Sequence, residues 1–162
     1  MEIQIRKATD TDRDMIWEII RKVIATGDTY VFAPDSSREK MLSFWCGNDK
    51  HTYVATSHQN IVGTFFMKDN QPDLGNHIAN AGYMVAPEFS NAGIGRLMGE
   101  FSLVEAKKLG YKAMQFNIVI KSNERAVKLW ATLGFEIIGE IPDAFQHAVH
   151  GLTNAFIMYR KL

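Results

Sequence analysis

The sequence predicts an α/β fold in the α+β sense: a mixed, mostly antiparallel central sheet flanked by helices. Three observations predict it. Capping signals and apolar periodicity give the element order β, α, α, β, β, β, α, β, α, β, β over 162 residues. The strands in the middle follow one another through short turns, which antiparallel neighbours allow, whereas a doubly wound parallel sheet would alternate strand and helix throughout. Hydrophobic residues at 46% against 22% charged are the balance of a globular domain large enough to bury a core.

The elements follow in order. "IQIRKA" (3–8) alternates as a strand. "TDRD" (11–14) is a capping-box pattern with Thr11 and Asp14, opening a helix whose stripe is Ile16, Ile19, Ile20, Val23 and Ile24. Gly27 stops it, and "SSRE", with Ser36 and Glu39, opens a shorter helix through Met41, Leu42 and Trp45. "TYVATS" and "IVGTFFMK", separated by "HQN", read as a hairpin, and "HIANAGYMVA" (77–86) as a third strand ended by Pro87. The next helix carries Ile94, Leu97, Met98, Phe101 and Val104 on one side, has Lys107 and Lys108 at the negative end of its dipole, and ends at Gly110. "YKAMQFNIVI" (111–120) is a strand, and "SNERAVKLWATL" is a helix with Ser122 at its N-cap, closed by Gly134. "FEIIGEI" and "NAFIMYRKL" are the last strands, joined by an irregular loop at 142–153.

Eighteen basic residues balance eighteen acidic ones. A nucleic-acid or anionic-membrane partner would want a basic surface, so neither is expected. Cys46 is the single cysteine, which excludes an intramolecular disulfide and suits a reducing compartment. "MEIQIRKATD" lacks the apolar run of a signal peptide, and no apolar run reaches membrane-spanning length. The expectation is one cytoplasmic domain over residues 1–162.

"APEFSNAGIGRLMG" (86–99) carries the first functional signal, with Gly93 and Gly95 at a helix start. Glycine inside a helix costs about 1 kcal/mol against alanine, so these positions need a reason. A helix start offers unpaired amides and roughly half a positive charge, which suits phosphate. Glycines let a bulky anion approach the backbone, and Arg96 adds a formal charge. The dinucleotide fingerprint fails, because Gly99 falls one residue late and six residues separate Ala86 from Gly93. A Walker loop fails for want of Gly-Lys-Ser/Thr.

"YMVAPEFSNAGIGRLM" followed by "NERAVKLWATLGF" resembles the GNAT superfamily of N-acetyltransferases. Pro87, Glu88, Phe89, Gly93 and Gly95, then Asn123, Ala126, Leu129, Gly134 and Phe135, stand in register with its two signatures, and the element order agrees over nearly the whole chain. The resemblance implies acetyl-coenzyme A as co-substrate. Its pyrophosphate would lie on the amides of Asn91, Ala92, Gly93, Ile94, Gly95 and Arg96. Its pantetheine arm would pair with the backbone of Tyr83, Met84 and Val85, in a gap where strands 77–86 and 111–120 splay apart. Ser90 stands where the family usually has Gln or Arg.

Amide formation needs a neutral amine, donors for the developing oxyanion and a proton for the departing thiolate. Many members protonate the thiolate with a tyrosine at a position that here holds Trp130, whose indole donates but is no acid near neutral pH. Strand 77–86 carries Asn80, before a bulge-like "NAG", in place of a carboxylate. In strand 111–120, Met114, Phe116, Ile118 and Ile120 mark one face and Asn117 the other. "NAGY", "FNIVIKSNERAVKLW" and "AFIMYRKL" resemble a subgroup that acetylates toxic proline analogues, in which asparagines matching Asn80, Asn117 and Asn123 serve catalysis and substrate placement. The resemblance therefore implies that Asn80 and Asn117 position the acceptor and polarise the thioester carbonyl; the alternative is that both only satisfy backbone. Asn123 either caps a helix or touches pantetheine.

"GDTYVFAP" (27–34) lies where the family covers its acceptor site, so Thr29, Tyr30 and Phe32 are substrate-pocket candidates, or packed aromatics. Tyr83 fits pantetheine packing better than proton donation. His147 and His150 are three apart, without further ligands at metal spacing, so no metal is expected. The expected reaction is acetyl transfer to a small amine, an amino acid or a toxic analogue, in a homodimer. Its rivals are a phosphinothricin-type N-acetyltransferase and a catalytically silent acyl-coenzyme A-binding module.

Overall fold

A computed structural model describes residues 1–162. The strands are β1 (Gln4–Lys7), β2 (His51–Ser57), β3 (Asn60–Asp69), β4 (Ile78–Val85), β5 (Ala113–Ile120), β6 (Glu136–His147) and β7 (Gly151–Lys161). The helices are α1 (Arg13–Ile24), α2 (Arg38–Trp45), α3 (Ile94–Lys108) and α4 (Glu124–Thr132). All seven strands form one sheet in the order β1-β2-β3-β4-β5-β7-β6. Only β4 and β5 run parallel; every other pair is antiparallel. The expected order and the mixed, mostly antiparallel sheet are both present.

Two cores lie on the two faces. Ile16, Ile20 and Ile24 of α1 and Met41 and Trp45 of α2 pack on Val54, Phe66 and Met84. On the other face, Ile94 and Met98 of α3 and Trp130 of α4 pack on Tyr53, Phe65, Met67 and Met158. Period-2 alternation in β3 and β4 deals successive side chains to these two cores, which is why the middle strands are apolar on both sides.

The helix starts differ from the sequence reading. A 3₁₀ turn at Asp10–Asp12 precedes α1, and the capping pair is Thr9 and Asp12 instead of Thr11 and Asp14. Asp12 accepts the Thr9 N–H at 2.7 Å and the Arg6 guanidinium at 2.8 and 2.9 Å, so an ion pair to β1 sets the helix entry. The caps of α2 and α4 are Ser37 and Asn123, each one residue beyond the expected Ser36 and Ser122. Ser36 instead donates to the Ala33 carbonyl.

The buried side of α3 is also rotated. Leu97 and Val104 are 42% and 59% exposed, whereas Gly99, Ser102 and Ala106 are buried. Small residues allow close approach: a Cβ at Gly99 would stand 2.6 Å from Leu133 Cδ1. Counting large apolar residues misses a stripe built from small ones.

In β5 the pairing with β7 shifts between Phe116 and Val119, so Asn117 and Ile118 are both exposed and Val119 is buried. The expected alternation through Ile118 breaks there. Asn80–Ala81–Gly82, by contrast, pairs with β3 without a bulge. Gly82 is needed for another reason: its Cβ would lie 2.7 Å from the Phe66 ring. The expected loop at 142–153 is a continuation of β6 and β7 with a turn at 148–150. A register shift between Ile141 and Phe145, with Asp143 at φ 50°, hid the strand from an alternation count.

Candidate active site

Parallel pairing between β4 and β5 stops after Ile78↔Ala113 and Ala79↔Met114. The strands then part, and a cavity of about 410 Å³ opens between them, roofed by the segment joining α1 to α2. One edge of β4 stays bonded to β3, with Ala86 donating to Val62 and Asn70 to Ile78. Antiparallel ladders alternate the direction of their backbone groups, so the N–H and C=O of Ala81, Tyr83 and Val85 face the gap and those of Met84 face β3.

The Tyr83 groups are not bare. The Tyr30 hydroxyl accepts the Tyr83 N–H at 2.8 Å and donates to the Tyr83 carbonyl. Burial raises the Tyr30 phenol above its ordinary pKa, opposed by that backbone bond, so it stays a neutral donor and acceptor. The Tyr83 side chain points away from the gap: its hydroxyl bonds Ser102 of α3 at 2.6 Å, and its ring lies 4.7 Å from that of Trp130. Burial raises this phenol too. Trp130 is a core residue, packed against Phe116 as well and exposing one side to the cavity.

Asn80 bridges the seam just past its last backbone pair, donating to the Gln115 carbonyl at 3.0 Å. Asn117 donates to Asn70 Oδ1 at 2.7 Å and accepts from Gln115 Nε2 at 3.0 Å. Both asparagines line the cavity, but each is bonded to a partner other than its fellow. Asn123 accepts the Ala126 N–H at 3.3 Å, which is the capping reading, and it also lines the cavity.

Thr29, Tyr30 and Phe32 lie on the cavity wall with Phe44 and Phe66. Phe32 and Phe44 meet edge to face at 5.0 Å, as do Phe44 and Phe66 at 5.5 Å. The lining holds no carboxylate, imidazole, ammonium or guanidinium. The sequence reading missed Phe44, Phe66, Asn70 and Gln115. Gln115 had a signal, since it sits two residues from Asn117 on one strand and so on its face. Asn70 had none, because its bond to Asn117 joins residues far apart in the chain.

The segment 91–96 lies beyond Val85. None of its six amides donates to a backbone carbonyl; Leu97 is the first residue of α3 to do so, to Gly93. Gly93 adopts φ +77°, a left-handed conformation that L side chains rarely take, and Asn91 is also left-handed at 65°. Gly95 is different: its φ is ordinary, and a Cβ there would meet only Leu129 at 3.6 Å and Val85 at 3.9 Å. The fold does not demand Gly95, and the missing side chain leaves the neighbouring amides open from outside. These open amides fit an anionic group such as pyrophosphate. Arg96 is engaged at Nε by Glu100 at 2.8 Å, and the Ile94 side chain is buried, so those two positions offer chiefly backbone. Glu88 pairs with Lys22 and ties this loop to α1.

His147 and His150 sit at the β6–β7 turn, where His147 Nδ1 accepts the N–H groups of Val149 and His150 at 3.0 and 3.2 Å. That is a turn cap outside the cavity. No helix is long and apolar enough to cross a membrane.

Residues 17–135 match the family model described as "Acetyltransferase (GNAT) family". The chain is 36% identical over 98 residues to N-acetyltransferase aca1 of Schizosaccharomyces pombe, a match covering 60% of this chain and about half, 47%, of that relative. It superposes on a GCN5-related N-acetyltransferase from Kribbella flavida with a TM-score of 0.93 and 36% identity, over 99% of this chain and 98% of that one. A phosphinothricin acetyltransferase from Sinorhizobium meliloti, solved in complex with AcCoA, shares the fold at a TM-score of 0.87 and 21% identity, over 100% of this chain and 89% of that one.

Proposed function

The chain belongs to the GNAT acetyltransferase family, and on that premise we propose that it transfers an acetyl group from acetyl-coenzyme A to the amine of a small molecule, an amino acid or a toxic amino-acid analogue. The observation that carries this reading is the opened β4–β5 seam running up to six free amides at the start of α3. When bound, acetyl-coenzyme A supplies an acetyl group already activated as a thioester. In this reading the amides of Asn91 to Arg96 hold its pyrophosphate. The seam-facing groups of Tyr83 and Val85 pair with its pantetheine arm as an added strand, with Met84 between them. Asn123 and Trp130 border the same channel.

Asn80 and Asn117 orient the acceptor and polarise the reacting carbonyl, while Thr29, Tyr30 and Phe32 close the pocket over it. An amide side chain takes no proton at neutral pH, and the lining offers no other base. The acceptor nitrogen therefore attacks the thioester carbonyl from its own neutral fraction, the C–S bond breaks to release the thiolate of coenzyme A, and the proton lost by the nitrogen reaches that thiolate through water. An uncharged, largely apolar pocket supports a small acceptor over a polyamine or a basic protein tail, for which it holds no counter-charge. A cytoplasmic location and a homodimer complete the proposal; sedimentation tests the latter.

Thiol release from acetyl-coenzyme A, followed with a thiol-reactive dye against free amino acids, azetidine-2-carboxylate, phosphinothricin and polyamines, tests the reaction. A selective amino-acid or analogue hit is expected. Trp130, standing where the family's phenol is usual, supports one second reading, a silent acyl-coenzyme A-binding module. Calorimetric binding of coenzyme A with no thiol release from any amine would favour it.

A further inference from the structure

We propose that Tyr30 is an internal ligand of the cofactor channel, which acetyl-coenzyme A displaces before the acceptor site is complete. The inference rests on the acetyltransferase reading above. Where β4 leaves β5, the Tyr83 N–H and C=O face an open seam, and one phenol satisfies both, accepting from the first and donating to the second. That is the pair of complementary bonds an added strand would make. The N–H has a single hydrogen, so the phenol and an incoming arm cannot both be bonded to it.

The segment carrying this phenol is held at a second point. The Gly27 carbonyl accepts the Ala148 N–H at 3.1 Å, and Ala148 lies in the β6–β7 turn. The segment 27–30 thus spans the seam from the β6–β7 turn to β4. Tyr30 is further steadied by Trp45, edge to face at 6.2 Å, and Phe32 at 6.4 Å. Thr29 and Phe32 flank it and line the same cavity. Displacing the Tyr30 hydroxyl therefore moves the wall of the acceptor pocket, and the free enzyme holds a pocket shape that differs from the reacting one. Cofactor binds first, against this internal competitor, and the acceptor follows. An equilibrium in which only part of the free enzyme is competent weakens apparent affinity by that fraction.

Tyr30→Phe keeps the ring and removes the competitor. By calorimetry with coenzyme A, the variant is expected to bind at least about five-fold more tightly than the parent, the worth of one of the two hydrogen bonds removed. A phenol that merely stabilised the fold, or that bonded the cofactor directly, would leave affinity unchanged or lower it, and either result overturns the proposal. Hydrogen exchange on the unmodified protein gives an independent check: peptides over 25–34 should exchange faster once coenzyme A is added, and slower exchange overturns the proposal. If the parent binds no coenzyme A, the acetyltransferase reading falls with this one. If parent and variant bind equally, only the Tyr30 inference falls.

Discussion

The Asn80 side chain donates to the Gln115 carbonyl at 3.0 Å, one residue beyond the last backbone pair between their strands. A side chain takes over from the ladder where the ladder ends, and it fixes where the seam opens. Asn80→Ala should leave that carbonyl short of a partner and cost about 1–2 kcal/mol in thermal or urea unfolding. Asn117→Ala, at an exposed position, should cost less than about 1 kcal/mol. Each should lower the rate of thiol release by about 10²-fold, the order expected for loss of one positioned donor. Near-parental turnover in both would end the role proposed for the pair.

Gly93 and Gly95 should separate under substitution to alanine. Gly93→Ala forces a side chain into φ +77° and should lower stability by about 1 kcal/mol. Gly95→Ala meets only ordinary contacts and should leave the melting temperature unchanged or raise it, as alanine favours a helix. Its coenzyme A affinity should nevertheless fall, by at least about ten-fold, as a methyl group covers open amides. Unchanged affinity in Gly95→Ala would remove the cofactor from this loop.

The rate should follow the acceptor. The cavity has no carboxylate or imidazole, and the phenols of Tyr30 on its wall and Tyr83 behind it are pushed up by burial, so neither supplies a base near neutral pH. Turnover at subsaturating acceptor should climb with pH and level off at the amine's own pKa, moving when an acceptor of lower amine pKa is used. A limb that stays put between two such acceptors would reveal an enzyme base.

Acid stability should report on the entry to α1. The Arg6 guanidinium, with help from the Thr9 N–H, holds Asp12 down to about 2. A folded pKa below the unfolded value of about 3.9 stabilises above that value and loses its contribution as pH falls toward 2. Asp12→Asn should therefore lower stability at pH 7 and flatten the decline between pH 4 and 2. An unaltered slope in urea titrations across that range would show that the pair contributes nothing.

Much of the fold was written locally. Apolar periodicity placed all four helices and all seven strands, because each buried face repeats at the spacing of its own element. The glycine loop and the two asparagines stood out as candidates for a different reason: glycine at a helix start and asparagine within a strand oppose local propensity. Bulges escaped this reading. One extra residue at Asn117–Ile118, and two between Ile141 and Phe145, interrupt the regular pairing, so the alternation that marks a strand is lost while the strand goes on.

What the chain determined by itself was the order of elements, the open amides at 91–96 and the want of a phenol at Trp130. The tertiary structure alone decided partners: Asn80 to Gln115, Asn117 to Asn70, and the Tyr30 hydroxyl to the Tyr83 backbone. Periodicity and capping are properties of neighbours a few residues apart. A bond between residues 53 apart, as in Tyr30 and Tyr83, exists only after the sheet has formed and split, and nothing in either local sequence encodes the other's position.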